Sequence, residues 1–464
     1  MTHLASHQTA HRPSEVALAL RRLSGDLAIL STVGSVVALY AISAITMEHF
    51  GIAYITSGGG PLSKVHPAFL LAVAALAFRC LASPRPLQAA WRLVSSDPGV
   101  VLLSFSIVLT AFYAAAIAKV PYTGVLDTFV LPMLLFLLLR DLDPGLRRWL
   151  ALLVGFLLCV NGVMAIIEFY GGFHFIRLEF DPTVSADPTH AGGSFDLKAA
   201  MALDWRPFAL LGHPLVNGLI VQSAICCLLA RGARWLPWIV KGPVLVLLCT
   251  SLVTLGARTS LVFTLVVGSC FVLDDWCRAV SRGARLQPQH VAIAFIAIAV
   301  AALAIFVGVD AGIFDRTIER FASDQGSAAT RLVMFEMFRP LSWNDIVFGP
   351  DKDVVATWQR LEGLEFGIES SWVGLILTYG LAVTLMIVTG LLAFSRSVVR
   401  ASGPGATFIL VVFFLTVSGS ASLSGKTTVF AATTVLIQLF LSRDGGAARQ
   451  KSGLPPRATM SAGP

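Results

Sequence analysis

Apolar residues run in long blocks along this chain, with short polar connections between them, rather than in the one-sided patterns of surface helices or strands. A bilayer core of about 30 Å takes roughly 20 apolar residues per helix, so blocks of this length read as membrane spans. The pattern predicts about twelve of them. They cover residues 27–46, 67–83, 99–119, 124–139, 149–170, 207–230, 237–256, 259–273, 290–309, 371–394, 405–419 and 427–441. The break between Gly256 and Thr259 matters most, because a single bent helix there would invert everything after it.

Composition narrows the class. Hydrophobic residues make up 56 % of the 464 and charged residues only 13 %, with mean hydropathy +0.78. Ordinary soluble domains carry about 25 % charged residues. The expected fold is therefore all-α: a polytopic membrane domain over residues 27–443 between cytoplasmic tails at 1–26 and 444–464, the latter disordered. The first apolar block follows Arg21 and Arg22 and is long enough to remain a helix, so no cleaved signal peptide is expected.

The net charge is +7, yet the basic residues are scattered singly, without the clustered face that nucleic acid needs. They mark orientation instead. With a cytoplasmic N-terminus and every span crossing, Arg85, Arg92, Arg140, Arg147, Arg148 and Arg278 all fall inside. Such one-sidedness is what the resistance of positive residues to translocation produces. The seven cysteines lie in or beside apolar blocks and read as small hydrophobes.

Two outer connections, 171–206 and 310–370, exceed what a hairpin needs. Long ordered loops are usually functional, and the aromatic residues in both predict folding against the membrane face. In the second, a helix is expected from Ser327 or Thr330 through Pro340, with Leu332, Phe335 and Phe338 on one side.

Chemistry-bearing residues gather toward this side. Arg258, in LGARTSLVF, stands where two spans meet. It reads as a functional cation at membrane depth or as a side chain snorkelling to the headgroups. Arg331 and Arg339 sit on the expected loop helix, and no acid stands three or four residues before Arg331. Arg316 and Arg320 interleave with Asp315 and Glu319 as a solvated face. Glu369 lies at the mouth of a span, either as an acidic cap or as a general base. His213 and Asn217, four apart after Arg206, share a helix face; a lone His there is more often a packing partner than a ligand, and no metal spacing accompanies it. No nucleotide-binding motif occurs in a credible setting.

Taken in order, these motifs resemble the O-antigen ligase and O-antigen polymerase superfamily, multi-spanning glycosyltransferases of GT-C type. The resemblance covers about residues 200–385: Arg206, then Gly212-His213-Pro214 and Asn217, GARTSL with Arg258, a long outer loop carrying Arg331, the Phe348-Gly349 turn and a polar pair before a Gly-rich span. It implies a polyprenyl-diphosphate-linked oligosaccharide as substrate, with Arg258 and Arg331 holding the diphosphate, Arg206, His213 and Arg339 nearby, and no cofactor or metal. It also implies inner-membrane lipid around the chain, and chain-length regulator and flippase proteins as partners. Ligases of this group show His-Asn where this chain has Glu369-Ser370, which shifts the expectation from ligase to polymerase with Glu369 as base. A transporter of lipid-linked glycans is the alternative from another class; it would be expected to show related halves, and none is evident.

Overall fold

A computed structural model describes residues 15–54, 60–118, 123–176, 206–230, 235–281, 333–361, 368, 370–403, 405–420 and 422–442. Among these residues the chain is helical, with no strand. Five helices are long and apolar enough to cross a membrane: Leu18–Ala41, Pro98–Ala116, Thr123–Arg140, Pro144–Gly171 and Ser371–Ser402. Shorter apolar helices lie at Pro67–Leu81, Pro214–Leu229, Trp238–Thr254, Arg258–Phe271, Gly405–Val417 and Val429–Leu441. The expected span 290–309 lies outside the described residues.

In chain order the elements are α1 (Glu15–Ala41), α2 (Ala44–His49), α3 (Pro67–Leu81), α4 (Pro86–Ser95) and α5 (Pro98–Tyr113). After α6 (Thr123–Val125) comes a π turn, Leu126–Val130, then α7 (Leu131–Arg140) and α8 (Pro144–Gly171). The second half holds α9 (Pro214–Leu229), α10 (Trp238–Thr254), α11 (Arg258–Ser281), α12 (Trp343–Phe348), α13 (Lys352–Leu361), α14 (Ser371–Ser402), α15 (Gly405–Val417) and α16 (Val429–Leu441).

Several helices start the same way, on a capping residue followed by proline. Asp97 and Asp143 accept from the amides of Gly99 and Gly145, ahead of Pro98 and Pro144. His66 does the same for Ala68, ahead of Pro67. Proline at the first helical position forfeits an N–H that the helix could not have used.

Small residues then bring the helices close, as expected where lipid supplies no hydrophobic drive between them. Ala68, Ala72 and Ala75 form a fully buried stripe on α3, and Ser35 of α1 donates to the Ala68 carbonyl at 2.6 Å. Between α5 and α14, Ser106 donates to the Met386 carbonyl at 3.0 Å. A Cβ on Gly390 would fall 2.7 Å from the Ser106 hydroxyl oxygen.

Some expected boundaries change. The first helix begins at Glu15 and stops at Ala41 instead of covering 27–46; Ser43 turns extended and caps α2 through the Thr46 amide. The helix expected over 371–394 runs to Ser402 but is interrupted at Gly380, at φ +80° and ψ 164°. The break at Gly256 is real. This residue has φ +62°, and a Cβ on Gly218 near the start of α9 would meet Ala257, Leu252 and Ser260 together. Lower on α11, Gly268 faces Leu229, the last residue of α9. The segments α10 and α11 are thus two antiparallel helices, as the charge argument required.

In the second long connection, Met334 and Met337 form a small core with Val355, Ile368 and, from the first turns of α14, Val373 and Leu377. The described part of this connection packs against α14. The buried face differs from the expected one, however: Phe335 is 62 % exposed, and residues 333–336 are helical only as far as a turn over 337–340. Leu332 lies outside the described residues.

Candidate functional site

Two polar residues inside the long apolar helix α8 organise one end of the bundle. Asn161 and Glu168 stand seven apart on α8, two turns and therefore one face, and neither exposes any surface. They hold the backbone of residues 208–211, which runs irregularly into the start of α9. Glu168 Oε2 accepts from the amides of Phe208 (2.6 Å) and Ala209 (2.9 Å), and its Oε1 from Phe175 (3.0 Å). Asn161 Oδ1 accepts from Leu210 and Leu211, both at 3.1 Å. Each successive N–H of this segment thus has an acceptor, which is the condition for non-helical backbone within a membrane protein's interior.

Asn217, one turn into α9, closes the arrangement. It receives a hydrogen bond from Asn161 at 2.8 Å and donates to the Phe208 carbonyl at 3.3 Å. The resulting conformation is unusual. Ala209 takes φ +47° and Gly212 φ +80°, and a Cβ on Gly212 would come within 3.0 Å of Ser43. His174 stacks on the Phe208 ring at 4.2 Å and lies 3.6 Å from Glu168.

Arg206 and His213 bracket this pinned segment. Arg258 is the first residue of α11 and half-buried. The close approach of Gly218 to Ala257 sets the Arg258 backbone beside the first turns of α9. Arg206, His213 and Arg258, separated in the sequence, so lie toward the same end of the bundle.

Beside them lies the turn between α15 and α16, SGSASLSGKTT. At their far ends, Gly405 approaches Ala230 and Leu441, and Ser442 accepts from Arg147. Thirteen residues at 1.5 Å each give about 20 Å, so these helices stop about 10 Å short of a full membrane core. The turn is consequently bound by neighbours. Ser371 donates to the Ser420 carbonyl (2.6 Å) and accepts from the Leu423 amide (2.8 Å). Thr128 accepts from the Thr427 amide at 3.2 Å, and Lys426 donates to the Tyr54 carbonyl at 2.9 Å while lying over its ring. Tyr54 in turn donates to the buried Asp127 at 2.8 Å.

Of the other expected site residues, Arg339 is exposed beside the loop core, and Arg331 and Glu369 lie outside the described residues. The neighbours of Glu369, Ile368 and Ser370, are buried. Sequence reasoning missed Asn161, Glu168, Asp127 and Lys426. A signal existed for the first two: an amide and a carboxylate on one face of an otherwise apolar span are expensive unless employed.

No protein-family description, no curated protein and no solved structure matches this chain.

Proposed function

We propose that this protein is a GT-C-type polysaccharide polymerase of about twelve spans, with both termini cytoplasmic. It would join polyprenyl-diphosphate-linked repeat units at the outer face of a bacterial inner membrane. The observation that supports this reading is the placement of Arg206, His213 and Arg258 toward the same end of the bundle as a backbone segment pinned by Glu168 and Asn161. The order of motifs in the sequence supports it. In this reading Arg331 and Glu369, which lie outside the described residues, would be supplied by the second loop.

In the reaction, a hydroxyl oxygen of the acceptor repeat attacks the anomeric carbon of the donor. The carbon–oxygen bond to the diphosphate breaks and the diphosphate departs with the electron pair. The hydroxyl proton passes to the Glu369 carboxylate. Arg258 and Arg331 stabilise the charge gathering on the leaving group, and a planar guanidinium does so bidentately. Glycan transfer to a different acceptor would use the same groups with another molecule supplying the hydroxyl.

One observation favours a second reading, a transporter of lipid-linked glycans: the interruption of α14 at Gly380, since broken helices often line transport sites. Both readings meet one experiment. Arg258→Gln, Arg331→Gln and Glu369→Gln are made singly and the polymer on the lipid carrier is sized. The polymerase reading expects carrier-bound single repeats to accumulate at the outer leaflet. Repeats stalled on the inner leaflet would favour transport, and full-length polymer in all three variants would remove the proposed site.

A further inference from the structure

At the opposite end of the bundle, the end of α3, the interfacial helix α4 and the end of α7 enclose a cavity of about 330 Å³. Three guanidiniums line it, those of Arg79, Arg92 and Arg140, together with Ser83 and Leu93. Their one acidic partner is Asp141, which pairs with Arg79 and stands 3.5 Å from Arg140. Arg79 also donates to the Leu137 carbonyl and Arg140 to the Ser96 hydroxyl. Both side chains are thereby fixed toward the cavity. Arg92 is exposed and has no hydrogen-bond or ion-pair partner among the described residues. The cavity thus carries an uncompensated positive charge on a preformed wall.

The helix that brings Arg92 also faces lipid. Leu87 is 88 % and Trp91 71 % exposed, one turn apart on the same side, while Ala89 and Leu93 turn to the cavity. An exposed Leu–Trp face beside a cationic cup is the pattern of a helix lying in the headgroup plane, with Trp at the membrane–water boundary. The ligand that satisfies both surfaces has an anionic headgroup joined to acyl chains.

We propose that this cavity binds the phosphate of an anionic phospholipid. Arg79, Arg92 and Arg140 contact the phosphate, and the acyl chains run along Leu87 and Trp91. The site is at the opposite end from Arg258 and does not depend on the polymerase reading. The excess of arginine at this end assigns it to the cytoplasmic leaflet, whose anionic lipids attract such groups.

The test uses the purified full-length chain in detergent, titrated with phosphatidylglycerol, phosphatidylcholine or inorganic phosphate while thermal stability is followed. Phosphatidylglycerol is expected to raise the melting temperature saturably, and the other two not to. Arg92→Gln, at an exposed position that should not impair folding, is expected to weaken half-saturation about five-fold, and Arg92→Lys to restore most of it. Arg400→Gln, at the same end but away from the cavity, should behave as wild type. An unchanged titration in Arg92→Gln overturns the assignment. So does an equal response to inorganic phosphate, which would make this a site for soluble anions.

Discussion

Replacing Glu168 by glutamine tests whether one buried side chain holds the candidate site together. The two residues have nearly the same shape, so packing is preserved and only the hydrogen-bond chemistry changes. The best amide orientation keeps its oxygen on Phe208 and Ala209, where two amides point at one atom. Its NH₂ then faces the Phe175 amide, which the carboxylate now satisfies at 3.0 Å. Phe175 is exposed, so water can take over part of this bond and its loss costs about 0.5–1 kcal/mol. The two retained bonds lose charge assistance and weaken by roughly half, while a buried charge no longer has to be desolvated. The net expectation is about 1–3 kcal/mol, felt mainly in segment 206–213 rather than across the whole bundle. Hydrogen exchange in detergent reads it directly. Each 1.4 kcal/mol is a factor of about ten in the opening equilibrium, so the Phe208 and Ala209 amides should exchange about 5–150 times faster. Glu168→Ala orphans three amides at once and should lower the melting temperature as well. Unchanged exchange at Phe208 and Ala209 in Glu168→Gln would refute the reasoning, because helix packing and not the carboxylate would then be holding this backbone.

Acid sensitivity follows from His66. Burial, opposed by the hydrogen bond to the Ile42 carbonyl and aided by the charge of Lys426, pushes its imidazole down to about 4. An unfolded chain therefore takes up a proton below about 6.5 that the folded chain refuses, so the contribution of His66 taken by itself falls by roughly 3 kcal/mol as pH drops from about 6.5 to about 4. His66→Asn retains a cap for the Ala68 amide and removes the titrating group, although Asp127 and Lys426 remain beside it. Its melting temperature should decline less steeply over that window, and an identical acid limb would show that another group controls it. Gly380→Ala addresses the break in α14. A Cβ there would lie 2.6 Å from the Phe348 carbonyl carbon and from the Val347 oxygen, at a φ of +80°. Backbone strain alone costs about 1–3 kcal/mol, and α12 must move away. Protease cleavage within 343–361 should accelerate several-fold; wild-type resistance would mean that α12 does not depend on this contact.

The blocks of apolar residues and the one-sided arginines were sufficient to predict a helical membrane protein and to separate α10 from α11. Both signals are local: a stretch of chain either suits lipid or does not, and a charge beside it resists crossing whatever the rest of the fold does. Arg206, His213 and Arg258 were visible as candidates for the same reason, since a polar group in an apolar setting carries a cost that invites explanation. Only the tertiary structure decided what these residues share. Asn161 and Glu168 act on amides about 40 to 50 positions away, and nothing in the periodicity of α8 says which backbone their acceptors will meet. The shortness of α15 and α16 leaves a hydroxyl-rich turn that Ser371, Thr128 and Tyr54 must satisfy from three other parts of the chain. The cup of Arg79, Arg92 and Arg140 likewise exists only because three helix ends converge. A sequence determines the cost of burying each polar group; the partner that repays it is chosen by how the helices pack.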